Sequence, residues 1–301
     1  MADMKSNLRG AGLMAAGMAS FAASDTVMKV LGGTYPLFQL LLLRGLGVML
    51  LLGGVCLLRG YFRLKISPRD AWFMFLRVMG EVGAAWLFLT ALFSMNYADA
   101  LAILQALPLV VTLGAALFLG ERLSAARIAV IIVGFFGVMV IIRPGGSAFS
   151  WYALLVVLSV ISVALRDLAS RKMSEQIPTV YASFIGAAGV TLSALIAAFG
   201  TPFVPMPAHD SLLLTIAVVG IAGGYVGTLA GVRVGDISFV APFRYTSLLT
   251  MIIASVMVFG IFPDIWTLLG ATIVVASGLM SLWVEQRIAR ALDAGARLGA
   301  G

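Results

Sequence analysis

Charge and reactive side chains are scarce in this chain of 301 residues. Charged residues make up 11% of it, less than half the roughly 25% usual in soluble proteins. There is one cysteine, Cys56, and one histidine, His209. A lone cysteine excludes an intrachain disulfide. With only one histidine beside it, no soft ligand set for a metal can be assembled, so neither metal nor cofactor is expected. The same shortage removes the nucleophile–base pairs and the His-Glu-x-x-His helix of an intramembrane hydrolase, so no enzyme is expected. No Walker A loop is present either, which argues against direct ATP drive.

Apolar side chains fill the gap. They make up 61% of the chain, and the mean hydropathy is +1.08. A soluble globule of this size has too little interior for that much apolar surface. Soluble, disordered, collagen-like and disulfide-scaffold classes are excluded, leaving an all-α integral membrane protein. Ten apolar runs reach the roughly 20 residues needed to span a bilayer. They cover 8–31, 36–58, 70–95, 97–119, 124–142, 150–171, 178–200, 211–233, 237–261 and 264–285. The first run is too long for a secretory h-region and is expected to stay as a helix. The runs are continuous rather than alternating, which excludes a β-barrel.

The net charge of +7 points to membrane topology rather than to nucleic acid, because basic residues gather on the cytoplasmic side. Ten spans place fourteen basic residues on the side of the N-terminus, from Lys5 and Arg9 to Arg290 and Arg297, and only Arg143 on the other. Both termini are therefore expected in the cytoplasm. Five basic residues, Lys29, Arg44, Arg77, Arg166 and Arg244, fall inside spans.

An internal repeat is also visible. Asp25, Lys29 and Pro36 recur as Asp167, Arg171 and Pro178 at an offset of 142, Gly83 and Asp99 as Gly220 and Asp236 at 137, and Gly120 as Gly260 at 140. The order is colinear, which predicts two five-helix repeats, 1–145 and 146–285, followed by a cytoplasmic tail, 286–301. Because five is odd, the second repeat enters the membrane inverted. Such duplications are typical of secondary transporters with a midplane site between the repeats.

Leu107-Pro108, then Leu119-Gly120-Glu121-Arg122-Leu123-Ser124, then Gly134 and Gly137 resemble the fourth-to-fifth-helix signature of the drug/metabolite transporter (DMT) superfamily, EamA type. The second half is similar but has Gly260-Ile261 where Gly-Glu is usual, followed by Gly270 and Gly278. Arg44 resembles the family's arginine in the second helix. The resemblance implies export or exchange of small metabolites across a bacterial inner membrane, with segments one, three, four, six, eight and nine lining the pathway. Within the superfamily the chain looks most like the YddG-type aromatic amino acid exporters.

Polar groups inside spans face a cavity or a partner, because the alternative costs several kcal/mol. Glu81 has Arg77 one turn away, so it is either a substrate or proton-coupling site or half of a self-satisfied pair. Asp25 with Lys29, and Arg166 with Asp167, are expected to be paired or snorkelling charges near water. Arg44 lies too deep to snorkel. It either binds a substrate carboxylate or caps a neighbouring helix. Segments four and nine carry Pro108 and Pro242, which break the backbone hydrogen-bond ladder and act as hinges. Around them stand Tyr97, Gln105, Arg244, Tyr245 and Ser247, forming either a substrate wall or helix–helix hydrogen bonds. Trp86, Phe88, Tyr225 and Phe243 add aromatic surface for stacking or for packing. Tyr225, in a row of glycines, is expected to point into a cavity. Glu121 is expected to start or cap the fifth segment, or to lock the loop to a basic neighbour, rather than to touch substrate. Rows of small residues, including Ala11, Ala15, Ala19 and Ala23, suit sliding contacts.

The function expected from all of this is secondary transport by alternating access. Basic and aromatic groups outnumber acids near the proposed cavity, which favours a carboxylate with an apolar body, such as an aromatic amino acid. The alternatives are another metabolite or drug, for example a nucleobase, a sugar or a cation, and more remotely a channel or an enzyme. The expected partners are an amino acid-like small molecule and membrane lipid. A monomer would serve.

Overall fold

The computed structural model describes residues 4–120, 124–145, 149–235 and 237–298, with side chains up to residue 284 except at 119, 229, 232, 233, 237, 238 and 241. Every regular element among them is helical. The helices are α1 (Met4–Leu31), α2 (Leu37–Leu58), α3 (Pro68–Ser94), α4 (Tyr97–Leu104), α5 (Leu107–Leu119), α6 (Ala125–Ile142), α7 (Tyr152–Lys172), α8 (Thr179–Ala198), α9 (Ala208–Val234), α10 (Ile237–Val240), α11 (Thr246–Phe259) and α12 (Ile265–Leu298). Nine spans among the described residues are long and apolar enough to cross a membrane. The other long helix, α1, carries Asp25 and Lys29 and is the less apolar one.

Local chemistry sets the helix ends. Ser67 accepts the Asp70 amide at 3.1 Å, with Pro68 in the first turn of α3. Ser124 accepts the Arg127 amide at 3.3 Å and caps α6. Glu121 and Arg122 themselves lie outside the described residues. Gly120 and Gly260 close α5 and α11 in the left-handed region, with φ of 72° and 65°, where a side chain is disfavoured.

Two of the ten segments are interrupted. The fourth divides into α4 and α5 at Gln105–Ala106, just before Pro108. The ninth begins as α10, tightens to a 3₁₀ turn over Ala241–Tyr245 that contains Pro242, and continues as α11. Proline cannot donate to the α-helical ladder, and the chain answers with i→i+3 bonds such as Gln105 N–H to Ala102 O (3.2 Å).

The most extensive packing runs between the first and second halves of the chain. α1 lies along α9 and α3 along α7, while α2 faces α8 and α6 faces α12. Smaller interfaces match in the same way: α3 with α8 as α2 with α9, and α5 with α7 as α1 with α11. Glycine permits the closest approaches. A Cβ at Gly227 would lie 2.7 Å from the Gly17 Cα, and one at Gly10 would lie 2.9 Å from the Gly231 carbonyl. The packing row of α1 is thus Gly10, Gly17, Ser20 and Ser24 rather than the alanine row expected from the sequence; Ala23 is exposed. Gly137 and Gly270 press together across α6 and α12, with added Cβ atoms 2.9 and 2.6 Å from the opposite carbonyls.

The main apolar core, including Leu40, Leu41, Leu89, Leu92, Tyr97 and Ile103, sits toward the end of the bundle where α1 finishes. Polar ties lock that end. Lys29 donates to the Leu92 and Met95 carbonyls at 2.6 and 2.7 Å, capping α3, and lies over the Phe259 ring. It is therefore not paired with Asp25 as its spacing implied. Gln39 bonds the Val204 carbonyl and amide at 2.7 and 2.9 Å. Arg143 meets Asp264 at 2.5 Å, and Thr267 bonds Asp99. Tyr35, between α1 and α2, donates to Asp210 at 2.5 Å. That bond, with burial and the carboxylate charge, pushes the phenol up to about 12, so it remains a donor at physiological pH. A Lys29→Met variant leaves two helix-end carbonyls unpaired. It is expected to lose about 1–3 kcal/mol of stability, seen as a lowered Tm in detergent-solubilised protein.

Candidate substrate cavity

A cavity of about 300 Å³ opens in the middle of the bundle, lined by α1, α2, α3, α7, α9 and the two interrupted segments. That is within the range of small-molecule sites. Its polar lining falls into three groups set in an apolar wall that includes Phe21, Phe88, Leu89, Leu101 and Ile221.

The first group is Asp25 on α1 and Arg44 on α2. Arg44 is only 8% exposed, and the Asp25 carboxylate is its strongest opposite charge, followed by Glu81. No side-chain hydrogen bond reaches the Asp25 carboxylate among the described residues. Both therefore offer charge to the cavity.

The second group is centred on Glu81, midway along α3. Tyr225 donates its hydroxyl to Glu81 Oε1 at 2.8 Å, and Arg166 Nη1 approaches the same oxygen at 3.4 Å. Arg166 also binds Asp167 at 2.9 Å. Arg77, the partner expected from spacing, reaches Glu81 only at 3.8 Å. Its guanidinium is directed instead to the Ser170 hydroxyl (2.7 Å) and the Ala182 carbonyl (3.3 Å). A separate polar cavity lies beyond it, lined by Arg77, Ser170 and Ser174. Glu81 Oε2 has no hydrogen-bond partner among the described residues.

The third group occupies the two interruptions. Gln105 Nε2 donates to Ser247 Oγ at 3.0 Å, and that hydroxyl lies 3.3 Å from Gln105 Oε1. Pro108, Arg244 and Tyr245 complete this wall. The buried Tyr245 hydroxyl points at Gly278, where any Cβ would collide with it. Arg244 is exposed, and no side-chain partner holds it among the described residues.

Of the residues singled out from the sequence, Arg44, Glu81, Gln105, Pro108, Tyr225, Arg244, Tyr245 and Ser247 line this cavity. Trp86, Tyr97 and Pro242 do not. Trp86 turns to α8 and donates to Ser193 at 2.9 Å. Tyr97 is buried, bonded to Thr26 (2.9 Å) and the Ala22 carbonyl (3.0 Å), and packed on Phe259. Phe243 stacks on Phe239. Asp25 and Arg166, expected from the sequence to be peripheral charges, both line the cavity. The signal available for them is depth, since each lies more than a turn inside its helix. No group of three or more His, Cys, Asp or Glu side chains suited to a metal occurs among the described residues.

Comparison with known proteins adds independent information. The sequence profile of the EamA-like transporter family matches twice, over residues 8–143 and 150–283. The chain is 26% identical to an S-adenosylmethionine uptake transporter of Rickettsia conorii, over 94% of this chain and 96% of that one. It is 30% identical to a riboflavin transporter of Rhizobium johnstonii over 63% of each. Identity is also 30% to a pseudopaline exporter of Pseudomonas aeruginosa, over 70% of this chain and 75% of that one. A solved crystal structure shares the fold with a TM-score of 0.63 at 20% identity, covering 92% of this chain and 98% of the other.

Proposed function

This chain belongs to the EamA-like transporter family, part of the DMT superfamily, and from that premise we propose that it is a secondary transporter whose substrate sits in the central cavity. The carrying observation is that cavity: charged and amide groups from both halves of the chain converge on one space between the interrupted segments. Two inverted five-helix repeats, 1–145 and 146–285, rock about it. The double match of the family profile and the matched pairing of helices support this. So does the Gln105–Ser247 bond, whose partners are 142 residues apart, close to the offsets of 137–142 in the repeat. Near-equivalent residues touch when both lie near a pseudo-two-fold axis. The excess of basic residues on one side supports cytoplasmic termini in an inner membrane.

The substrate is a small metabolite with an amino acid-like head and an apolar body. Asp25 and Arg44 offer opposite charges for an ammonium and a carboxylate, whose desolvation must be offset inside the bundle. Phe21, Phe88 and Tyr225 offer ring surface for the body. Aromatic amino acids have this shape; S-adenosylmethionine, the molecule in one relative's name, shares the amino acid head but carries a sulfonium cation and a polar nucleoside. Uptake and export both occur among the relatives' names, so the gradient, rather than the fold, sets direction.

The test is flux of labelled tryptophan, phenylalanine and S-adenosylmethionine into sealed proteoliposomes, with and without a pH gradient. Saturable flux with counterflow exchange of at least one of them is expected. Flux that rises linearly with concentration and shows no counterflow would replace the carrier by a channel.

A further inference from the structure

Among the described residues, the charges of the cavity do not balance. Its lining holds Asp25 and Glu81 against Arg44, Arg166 and Arg244. Arg77 and Asp167, which touch this set from behind, cancel each other. One positive charge is left over, and geometry assigns it. Arg166 has Glu81 and Asp167, and Arg77 has Glu81 and the Ser170 hydroxyl. Arg44 has Asp25 as its strongest opposite charge. Arg244 has no acidic partner and no side-chain hydrogen bond among the described residues, although it stands inside the span, seven residues past the start of α10. Its side chain is exposed and lines the cavity, so the guanidinium is open to a ligand. Its five N–H donors form a planar fork suited to a carboxylate. It is also held on the 3₁₀ turn of the interrupted segment, beside the Gln105–Ser247 pair that joins the two halves.

We propose that the transported species carries one negative charge in excess of its positive charges, and that its anionic group pairs with Arg244, which thereby selects substrates by charge. This rests on the carrier reading above and adds one further anionic group to the amino acid-like substrate given there. A zwitterion is neutral and leaves Arg244 unpaired, whereas a net monoanion with an apolar body leaves no charge uncompensated. Seated on the turn between α10 and α11, the anion also contacts the element that moves when the halves rock, so loading and closure are linked.

Three probes share one aromatic body and differ only in charge: N-acetyl-L-phenylalanine (net negative), L-phenylalanine (neutral) and L-phenylalaninamide (net positive). Their uptake into proteoliposomes, with S-adenosylmethionine and riboflavin alongside, is expected to fall in the order negative, neutral, positive. Arg244→Gln is expected to reduce N-acetylphenylalanine flux about tenfold or more, with much smaller effects on the other two. Arg244→Lys keeps the order, and Arg244→Glu reverses it. A uniform loss across all probes in Arg244→Gln, with a lowered Tm, would make the residue structural and overturn the proposal. So would a wild-type preference for the neutral or positive probe. Saturable flux of S-adenosylmethionine or riboflavin without response to Arg244 substitutions would also overturn it while leaving the carrier reading intact. Absence of saturable flux for every compound would strike the carrier reading itself.

Discussion

A Gly227→Leu variant is expected to show no measurable transport and to lose most of its folded yield. A Cβ at this position meets the Gly17 Cα at 2.7 Å and the Leu13 carbonyl at 3.0 Å. Both are backbone atoms, so no rotamer change can relieve the clash and α1 must move off α9. Helices in lipid gain nothing from the hydrophobic effect when they meet, and their association depends on close van der Waals packing. The α1–α9 interface is the most extensive among the described residues, with Gly10 against Gly231 and Gly220 against the Ser20 carbonyl on the same line. Overpacking a well-fitted site costs about 1–3 kcal/mol or more, and here the displaced helix also carries Ile221, Tyr225 and Thr228 into the cavity. A shift of α9 therefore withdraws the Tyr225 hydroxyl from Glu81. Gly12→Leu is the control, since a Cβ there meets nothing within 4 Å. It lies on α1, the helix that Gly227 faces, and is expected to fold and transport as the parent does. Size-exclusion profiles in detergent separate the two variants first, and flux assays second. Equal behaviour of the two would mean that α1 and α9 do not need their close approach.

The spans are legible in the sequence because nothing competes with the signal: a run of about 20 apolar residues has one stable solution in a bilayer. The observed helix ends differ from the expected ones where polar residues extend a helix beyond its apolar run. Ser67-Pro68-Arg69-Asp70 begins α3 at residue 68 rather than 70, and Ala208-His209-Asp210 begins α9 at 208 rather than 211. The two prolines mark the interrupted segments correctly, because the missing amide is a property of the residue itself.

Partner choice is not legible. A spacing of four places Arg77 beside Glu81 and Lys29 beside Asp25, but it says nothing about what a third helix presents. Arg166 from α7 approaches Glu81 more closely than Arg77 does. Two helix-end carbonyls outcompete Asp25 for Lys29, since ammonium N–H groups can satisfy both. Trp86 and Tyr97 show the same limit. An aromatic with one polar atom suits a cavity and a core equally well, and the helix's rotation, fixed by packing elsewhere, decides between them. The glycine row of α1 prevails over its alanine row because only glycine lets the opposing backbone come within 3 Å of where a Cβ would stand.

Glu81 is where packing and transport meet, and its variants are expected to separate the two. Among the described residues, Glu81→Ala removes the only acid that Arg77 touches and one of the two that hold Arg166. Removing one partner of a buried ion pair costs about 3–5 kcal/mol, because the remaining charge is left without compensation. Severe loss of stability and flux is therefore expected. Glu81→Gln differs. Its carbonyl oxygen can still accept the Tyr225 hydroxyl that Glu81 Oε1 accepts at 2.8 Å, and Arg166 keeps Asp167. This variant is expected to fold, with a smaller fall in Tm. Glu81→Gln strands Arg77, which touches no other acid among the described residues, so adding Arg77→Gln is expected to regain stability relative to the sum of the single changes. Glu81→Gln also imitates the protonated carboxyl. If a proton must visit Glu81 during the cycle, the variant still exchanges substrate for substrate but no longer responds to a pH gradient. If Glu81 keeps its charge throughout, gradient-driven and exchange fluxes fall together. Measuring both fluxes on the same proteoliposomes decides whether the Glu81–Arg166–Tyr225 cluster couples transport to protons or only holds α3, α7 and α9 in register.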